Sequence, residues 1–157
     1  MSAKQFEESN KDLELLNSDK LKIACVVSEW HNEITEKLFN GAKNILIKNG
    51  VQEKNISKIN VPGSFELIFA CKNLINKNLD AVIAIGCIIQ GETRHFEFVS
   101  NAVVNGIKDL NIISDIPIIL CVSTDDNISQ SVDRSGGKYN KGEDSAFAAL
   151  KMIKFNQ

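Results

Sequence analysis

A three-layer α/β sandwich around a four-stranded parallel sheet is the fold class the sequence predicts, and two observations carry it. Short apolar runs alternate along the chain with longer stretches whose apolar residues recur at helical spacing. Two of those runs, LKIACVV and AVIAIGCII, are apolar throughout or nearly so, as strands covered on both faces must be. Strand–helix–strand alternation of this kind calls for parallel crossovers, with helices on both sides of the sheet. No internal repeat, linker or low-complexity tract divides the chain.

The elements follow in order. Residues 21–27 form the first strand. A helix over 34–49 carries Ile34, Leu38, Ala42, Ile45 and Leu46 on one face, and Gly50 supplies its stop. Residues 56–61 alternate as the second strand, which Pro62-Gly63 breaks. Ser64 can cap a helix running through Leu67, Ile68, Cys71, Leu74 and Ile75. The third strand spans 81–89. A third helix, about 94–110, spaces Phe96, Val99, Val103 and Ile107 for burial. The fourth strand spans 116–122. Asn127 and Gln130 then have the spacing of a capping box for a short helix to about Ser135, and the Gly136-Gly137 turn leads to a last helix over 143–155. Residues 1–20, polar and charged, read as an arm that frays or pairs with a neighbouring subunit, and 21–157 as one domain.

A chain of 157 residues suits one domain and can bury about two thirds of its unfolded surface. A net charge of -2 gives no bias towards nucleic acid or an anionic membrane. No apolar run approaches the roughly 20 residues of a membrane span, and the first residues lack a signal peptide's apolar core. The expectation is a cytoplasmic protein with neither nucleic acid nor membrane as partner. Cys25, Cys71, Cys87 and Cys121 each lie in apolar surroundings without a CxxC pair, and with two histidines no metal-ligand spacing arises. They read as reduced, buried thiols.

In open parallel sheets the ligand lies beyond the carboxyl ends of the strands, which selects residues 28–32, 61–66, 87–95 and 123–127. Gly91-Glu92-Thr93 lies between a buried strand and a helix start. Its N–H groups and the positive end of the helix dipole can hold an anion, or Thr93 can simply cap the helix. His95 stands beside that turn and can carry protons near neutral pH, or serve as an ordinary packing residue. Arg134 can pair with a phosphate through its guanidinium fork or remain a solvated helix charge, and Lys138 and Lys141 can add positive potential or be solvated loop lysines. Trp30 can stack on a heterocycle or anchor the core. Glu66 can accept hydrogen bonds from a polyol or favour a helix N-terminus by its charge. No P-loop, GxSxG elbow or Rossmann GxGxxG occurs.

Singly these signals are weak; their order is specific. IGCIIQGETRHFEFV resembles the lumazine synthase signature, in which a strand ends in a Gly-x-Thr-x-His turn. VPGSFELIFA is similar to that family's VPGAFEIP segment. STDDNISQSVDRSGGKYNKGEDSAFAALKMI resembles its C-terminal region, with the Gln-x-x-x-Arg spacing and the Asn-Lys-Gly turn, and SEWHN stands where the family has an aromatic followed by a polar residue. The likeness runs from about Leu21 to Ile153.

The resemblance implies a flavodoxin-like αβα fold and an enzyme, a transferase of riboflavin biosynthesis. It would join 5-amino-6-(D-ribitylamino)uracil to 3,4-dihydroxy-2-butanone 4-phosphate, giving 6,7-dimethyl-8-ribityllumazine, phosphate and water, with neither metal nor organic cofactor. Carried over by motif, Trp30 stacks on the pyrimidine. Ser64, Phe65 and Glu66 hold the ribityl chain and ring edge, Cys87, Ile88 and Ile89 offer backbone contacts, and Leu120 reaches in from the adjacent subunit. Glu92 and Thr93 bind phosphate through the turn, His95 carries protons, and Arg134 clamps phosphate from the neighbour. The resemblance further implies a homopentamer, with a 60-subunit icosahedral shell and riboflavin synthase as candidate higher assembly and partner.

Three departures stand out. His31 replaces the usual Asn after the aromatic, Leu120 stands where some members have an aromatic, and the GGKYNKG turn is one residue shorter than is common. Two rivals remain. A lumazine-dismutating riboflavin synthase on a similar scaffold would need no phosphate site, against which Gly91-Glu92-Thr93 and Arg134 argue. A non-catalytic flavin-binding or shell-forming protein would show no turnover, against which His95 and the phosphate elements argue.

Overall fold

The protein is seen in a computed structural model that describes residues 17–157. Four strands, β1 (Ile23–Ser28), β2 (Ile56–Val61), β3 (Ala81–Ile89) and β4 (Ile118–Asp125), form one parallel sheet in the order β2-β1-β3-β4. Ile23 lies opposite both Ile56 and Ala81, and Val82 lies opposite Ile118. Five helices connect and cover the strands: α1 (Asn32–Lys48), α2 (Glu66–Leu74), α3 (His95–Ile113), α4 (Ile128–Arg134) and α5 (Lys141–Asn156).

Side chains alternate across a strand, so the sheet feeds two cores. Ile23, Cys25, Val27, Ile83 and Ile85 pack with Leu38, Leu46 and Leu150 of α1 and α5. Ala24, Val26, Val82 and Ala84 pack with Leu67, Cys71, Val103 and Ile107 of α2 and α3. Every residue of β1 is buried, as is β3 from Ala81 to Cys87, which accounts for their unbroken apolar runs. Edge strand β2 is largely half-buried or exposed; Ile59 and Val61 face one core and Ile56 the other, so the alternation expected over 56–61 holds only from Ile59 to Val61. The result is the αβα sandwich of the flavodoxin-like class, with the strand order reversing between β1 and β3.

Several expected boundaries move for local reasons. β4 begins at Ile118 because Pro117 has no N–H to give the ladder, and the Asn111 side chain closes the strand's start with bonds to both the N–H (2.9 Å) and carbonyl (2.8 Å) of Ile118. It continues to Asp125, past the apolar run, pairing Ser123, Thr124 and Asp125 with Cys87, Ile88 and Ile89. α3 starts at His95 and runs three residues beyond Leu110. Asn127 does cap α4, accepting from the Gln130 N–H at 3.1 Å, but Gln130 reaches back to the Asp126 N–H, not that of Asn127. Asn140 caps α5, starting it two residues before Glu143. Gly50, with a φ of 93°, follows α1 as its stop.

The arm expected over residues 1–20 lies, up to residue 16, outside the described residues; Ser18–Lys20 form a single 3₁₀ turn. No described helix is long and apolar enough to cross a membrane. All four cysteines are free and buried. Burial pushes the thiols of Cys25 and Cys71 up to about 12 and that of Cys121 to about 11.

Candidate active site

Three connections at the carboxyl ends of the strands build one site. The pairing of β1 with β2 continues beyond both strands: Glu29 donates its N–H to the Val61 carbonyl (2.8 Å) and Trp30 to that of Pro62 (3.3 Å). This brings the loop after β1 against the Pro62-Gly63 turn. A Cβ on Gly63 would lie 3.3 Å from the Trp30 indole and 2.9 Å from a Glu66 carboxylate oxygen, so glycine permits that approach. Trp30 is 70% exposed. The alternative of a core anchor is thereby set aside, and an open aromatic plate remains. Thr35 fixes the start of α1 beneath the loop by donating its hydroxyl to the Ser28 carbonyl at 2.8 Å.

Ser64 does not cap α2. Its hydroxyl instead donates to the Cys87 carbonyl at 3.5 Å, joining the start of α2 to β3. β3 can pass this close because residue 86 is glycine, where a Cβ would meet the Ser64 oxygen at 2.7 Å. Phe65 and Glu66 stand exposed at the head of α2.

The third connection leaves β3. Gln90 makes the last bond across to β4, donating to the Asp125 carbonyl at 2.9 Å. Among the described residues, the N–H groups of Gly91, Glu92, Thr93 and Arg94 then find no acceptor. They gather at the N-terminus of α3, a helix of 19 residues, where the dipole favours an anion. Thr93 takes one further N–H, that of His95, at 3.4 Å through its hydroxyl oxygen. His95 is the first residue of α3 and exposed.

These connections enclose a cavity of about 680 Å³, the size of a small-molecule site. Trp30, Ser64, Phe65, Glu66, Cys87, Ile88, Ile89, Thr93 and His95 all line it. It sits where the strand order reverses, the place an open α/β sheet offers a ligand. Three other candidates stand apart from it. Glu92 is on the anion turn but exposed outside the lining. Leu120 is half-buried on β4, packed against the core under α2 and α3. Arg134 ends α4, which packs on β4 and β3, and its guanidinium lies at Asp125.

The lining also includes Gly91 of the anion turn, and His31, Gly63, Phe96 and Val99, to which the sequence assigns no individual role at the site. Phe96 and Val99, expected on the buried face of α3, are half-buried and line the cavity; Val99, four residues after His95, shares its side of the helix. His31 stands at the N-cap of α1 with a φ of 57° and lines the cavity next to Trp30 in the chain.

A polar cluster lies between the carboxyl ends of β3 and β4 and helix α4. Asp125, 1% exposed, accepts at Oδ2 from the hydroxyls of Ser123 and Ser131, the latter at 2.7 Å. Arg134 Nη1 stands 3.3 Å from Asp125 Oδ1 and donates to the Gln130 carbonyl at 3.2 Å. Cys87 donates its thiol to Ser131 at 3.5 Å. Burial pushes the Cys87 thiol up, the Ser131 contact opposes this, and the Asp125 charge reinforces it. No group of three or more His, Cys, Asp or Glu among the described residues is arranged to hold a metal ion.

With this geometry in view, comparison with known proteins is specific. The sequence model of a family described as 6,7-dimethyl-8-ribityllumazine synthase matches residues 20–157. The chain is 54% identical over 144 residues to the 6,7-dimethyl-8-ribityllumazine synthase of Christiangramia forsetii, covering 90% of this chain and 86% of the relative. It is 51% identical to the enzyme of that name from Flavobacterium johnsoniae, over 98% of this chain and 82% of the relative. With that of Cytophaga hutchinsonii it shares 46% identity over 98% of each.

Proposed function

The chain belongs to the 6,7-dimethyl-8-ribityllumazine synthase family, enzymes of riboflavin biosynthesis, and from that premise we propose how its own residues carry out the condensation. The substrates are 5-amino-6-(D-ribitylamino)uracil and 3,4-dihydroxy-2-butanone 4-phosphate. Trp30 stacks on the pyrimidine. Ser64, Phe65 and Glu66 hold the ring edge and ribityl chain, with Glu66 accepting from hydroxyls. Backbone groups at Cys87, Ile88 and Ile89 meet the pyrimidine. The unpaired N–H groups around Glu92 and Thr93 bind the phosphate.

The steps are imine formation between the amine and the ketone with loss of one water, phosphate elimination, ring closure and loss of a second water. Each moves a proton, and His95, beside the anion turn, is placed to carry it. Holding two reactants in one cavity supplies much of the rate, and His95 adds about 10²–10⁴-fold. The observation that carries this reading is the convergence of an open indole, an exposed carboxylate, a cluster of free N–H groups and a histidine on one cavity.

The assembly we propose is a ring of five, in which Arg134 and Leu120 complete the site of the adjacent subunit. Two features support it: both residues stand away from their own chain's cavity, and α2 and α3, packed on each other, leave Phe69, Phe98, Ile112 and Ile113 exposed in the single chain. A ring has head-to-tail interfaces, so each can carry one complete site. Closure of twelve rings into a 60-subunit shell, with riboflavin synthase as partner, is the further assembly on which the short GGKYNKG turn bears; the mass in solution distinguishes it from a free pentamer. The four free, buried thiols suit a reducing, cytoplasmic setting.

Incubation with both substrates, following lumazine fluorescence and phosphate release, tests the function. Equimolar lumazine and phosphate are expected. Turnover of lumazine alone would favour the dismutating synthase, and ligand binding without turnover would favour a non-catalytic protein.

A further inference from the structure

Asp125 lies outside the cavity, and the reading above gives it no role. Its surroundings are nonetheless those of a built site. A buried carboxylate is tolerated when its charge is paired and its lone pairs are met. Here one oxygen is met by two hydroxyls, those of Ser123 and Ser131. The other, Oδ1, has no hydrogen-bond partner among the described residues. Its compensation is a charge: the Arg134 guanidinium, with Nη1 at 3.3 Å.

The same contacts have a consequence at Arg134. Both of its partners, the Asp125 carboxylate and the Gln130 carbonyl, lie at Nη1. The Nε and Nη2 groups have no partner among the described residues. That pair is one edge of the guanidinium fork, the geometry that takes two oxygens of a phosphate at once. An arginine side chain is long and rotamer-rich, and tethering one edge lowers the entropy lost when the other binds. Ser131 and Arg134, three residues apart on α4, both attach to Asp125. The carboxylate at the end of β4 therefore fixes the short helix and its terminal side chain together.

We propose that Asp125 is the positioning residue for Arg134: oriented by Ser123 and Ser131, it holds the guanidinium at Nη1 and leaves the Nε–Nη2 edge for the phosphate substrate. The inference rests on the reading of Arg134 as a phosphate ligand. Asp125 touches no reacting atom, and its effect passes entirely through Arg134.

A double-mutant cycle on the assembled enzyme tests this, with Asp125→Asn, Arg134→Ala and the pair. Asparagine keeps the size of the side chain, and its amide can donate to the two serine hydroxyls that donated to the carboxylate. Asp125→Asn is expected to raise the KM for the phosphate substrate, and the inhibition constant of inorganic phosphate, by about three- to tenfold. The kcat at saturation and the KM for the pyrimidine should stay at wild-type values. In the Arg134→Ala background, Asp125→Asn should add nothing. An unchanged or lowered KM in Asp125→Asn, or the same rise in both backgrounds, would overturn the positioning role while leaving Arg134 as ligand. An unchanged KM in Arg134→Ala would overturn both. If Asp125→Asn does not assemble, Ser131→Ala, which removes one orienting hydroxyl, carries the same expectations at smaller size, and its failure to raise the KM refutes the proposal.

Discussion

Mixing two impaired chains puts the shared site to its hardest test. Take His95→Ala in one population and Arg134→Ala in another, unfold equal amounts together and reassemble them. Arg134 is partly exposed, but it compensates the buried Asp125 carboxylate, so alanine there should cost stability, and assembly of the variant is verified before the chains are mixed. What it removes is a charge-assisted contact to phosphate worth roughly 1.5–3 kcal/mol. That corresponds to about a 10- to 150-fold rise in the apparent KM of the phosphate substrate. His95→Ala should lower turnover by about 10²–10⁴-fold. At low phosphate-substrate concentration each variant alone is therefore nearly silent. In a head-to-tail ring assembled at random, about a quarter of interfaces pair an intact His95 with an intact Arg134. The co-assembled sample should recover about that share of wild-type activity. Mixed rings, verified by mass, that show only the average of the separately refolded variants would refute the shared site and place both residues' action within one chain.

Other perturbations separate the roles within the cavity. Trp30→Ala should leave stability within about 0.5 kcal/mol, since the indole is exposed, and chiefly weaken the pyrimidine substrate; a larger effect on the phosphate substrate would misplace Trp30. Because Trp30 is the sole tryptophan, its fluorescence in the wild-type protein should respond to the pyrimidine and not to inorganic phosphate. His95→Gln should slow turnover while leaving the phosphate-substrate KM within about threefold, and unchanged turnover would remove it from the mechanism. For the thiols, folded values raised to about 12, 12 and 11 for Cys25, Cys71 and Cys121 lie above the ordinary 9.0. The unfolded chain then loses these protons first, so stability from this source is complete below about pH 9 and declines as pH rises towards the folded values; denaturation midpoints across pH 8–11 should fall at the alkaline end and recover part of the loss in Cys25→Ala.

The buried framework was legible because burial on both faces leaves an unmistakable record. β2 and β3 fall on the expected residues, and the apolar face of α1 is buried as its spacing predicts, whereas on α3 Val103 and Ile107 are buried but Phe96 and Val99 are half-buried at the cavity. The cavity wall was legible because each of its parts directly follows a strand, so Trp30, Ser64 to Glu66 and the turn before His95 could be found from where the strands stop. Boundaries set by single side chains were not: Asn111 closing the start of β4, or Ser64 bonding β3 in place of capping α2, depends on tertiary neighbours that no local pattern reports.

Asp125 shows why the remaining part was hidden. Reading β4 as an apolar run ends it at Val122, yet the ladder continues through Ser123, Thr124 and Asp125. A polar residue at that point looks like the beginning of a loop. In a parallel sheet it is instead the last pair of a strand, held by backbone bonds that do not depend on side-chain hydrophobicity. The sheet can therefore carry polar groups at its carboxyl edge at little cost to pairing, and there they are fixed by the rigid ladder while facing the loops that bind substrate. Asp125 gains its cation from a residue nine positions later, across the start of α4, and its hydroxyl donors from both sides of that turn. Each of those residues alone reads as solvated. Only the fold, by burying the carboxylate, turns four unremarkable polar positions into a device for holding one guanidinium.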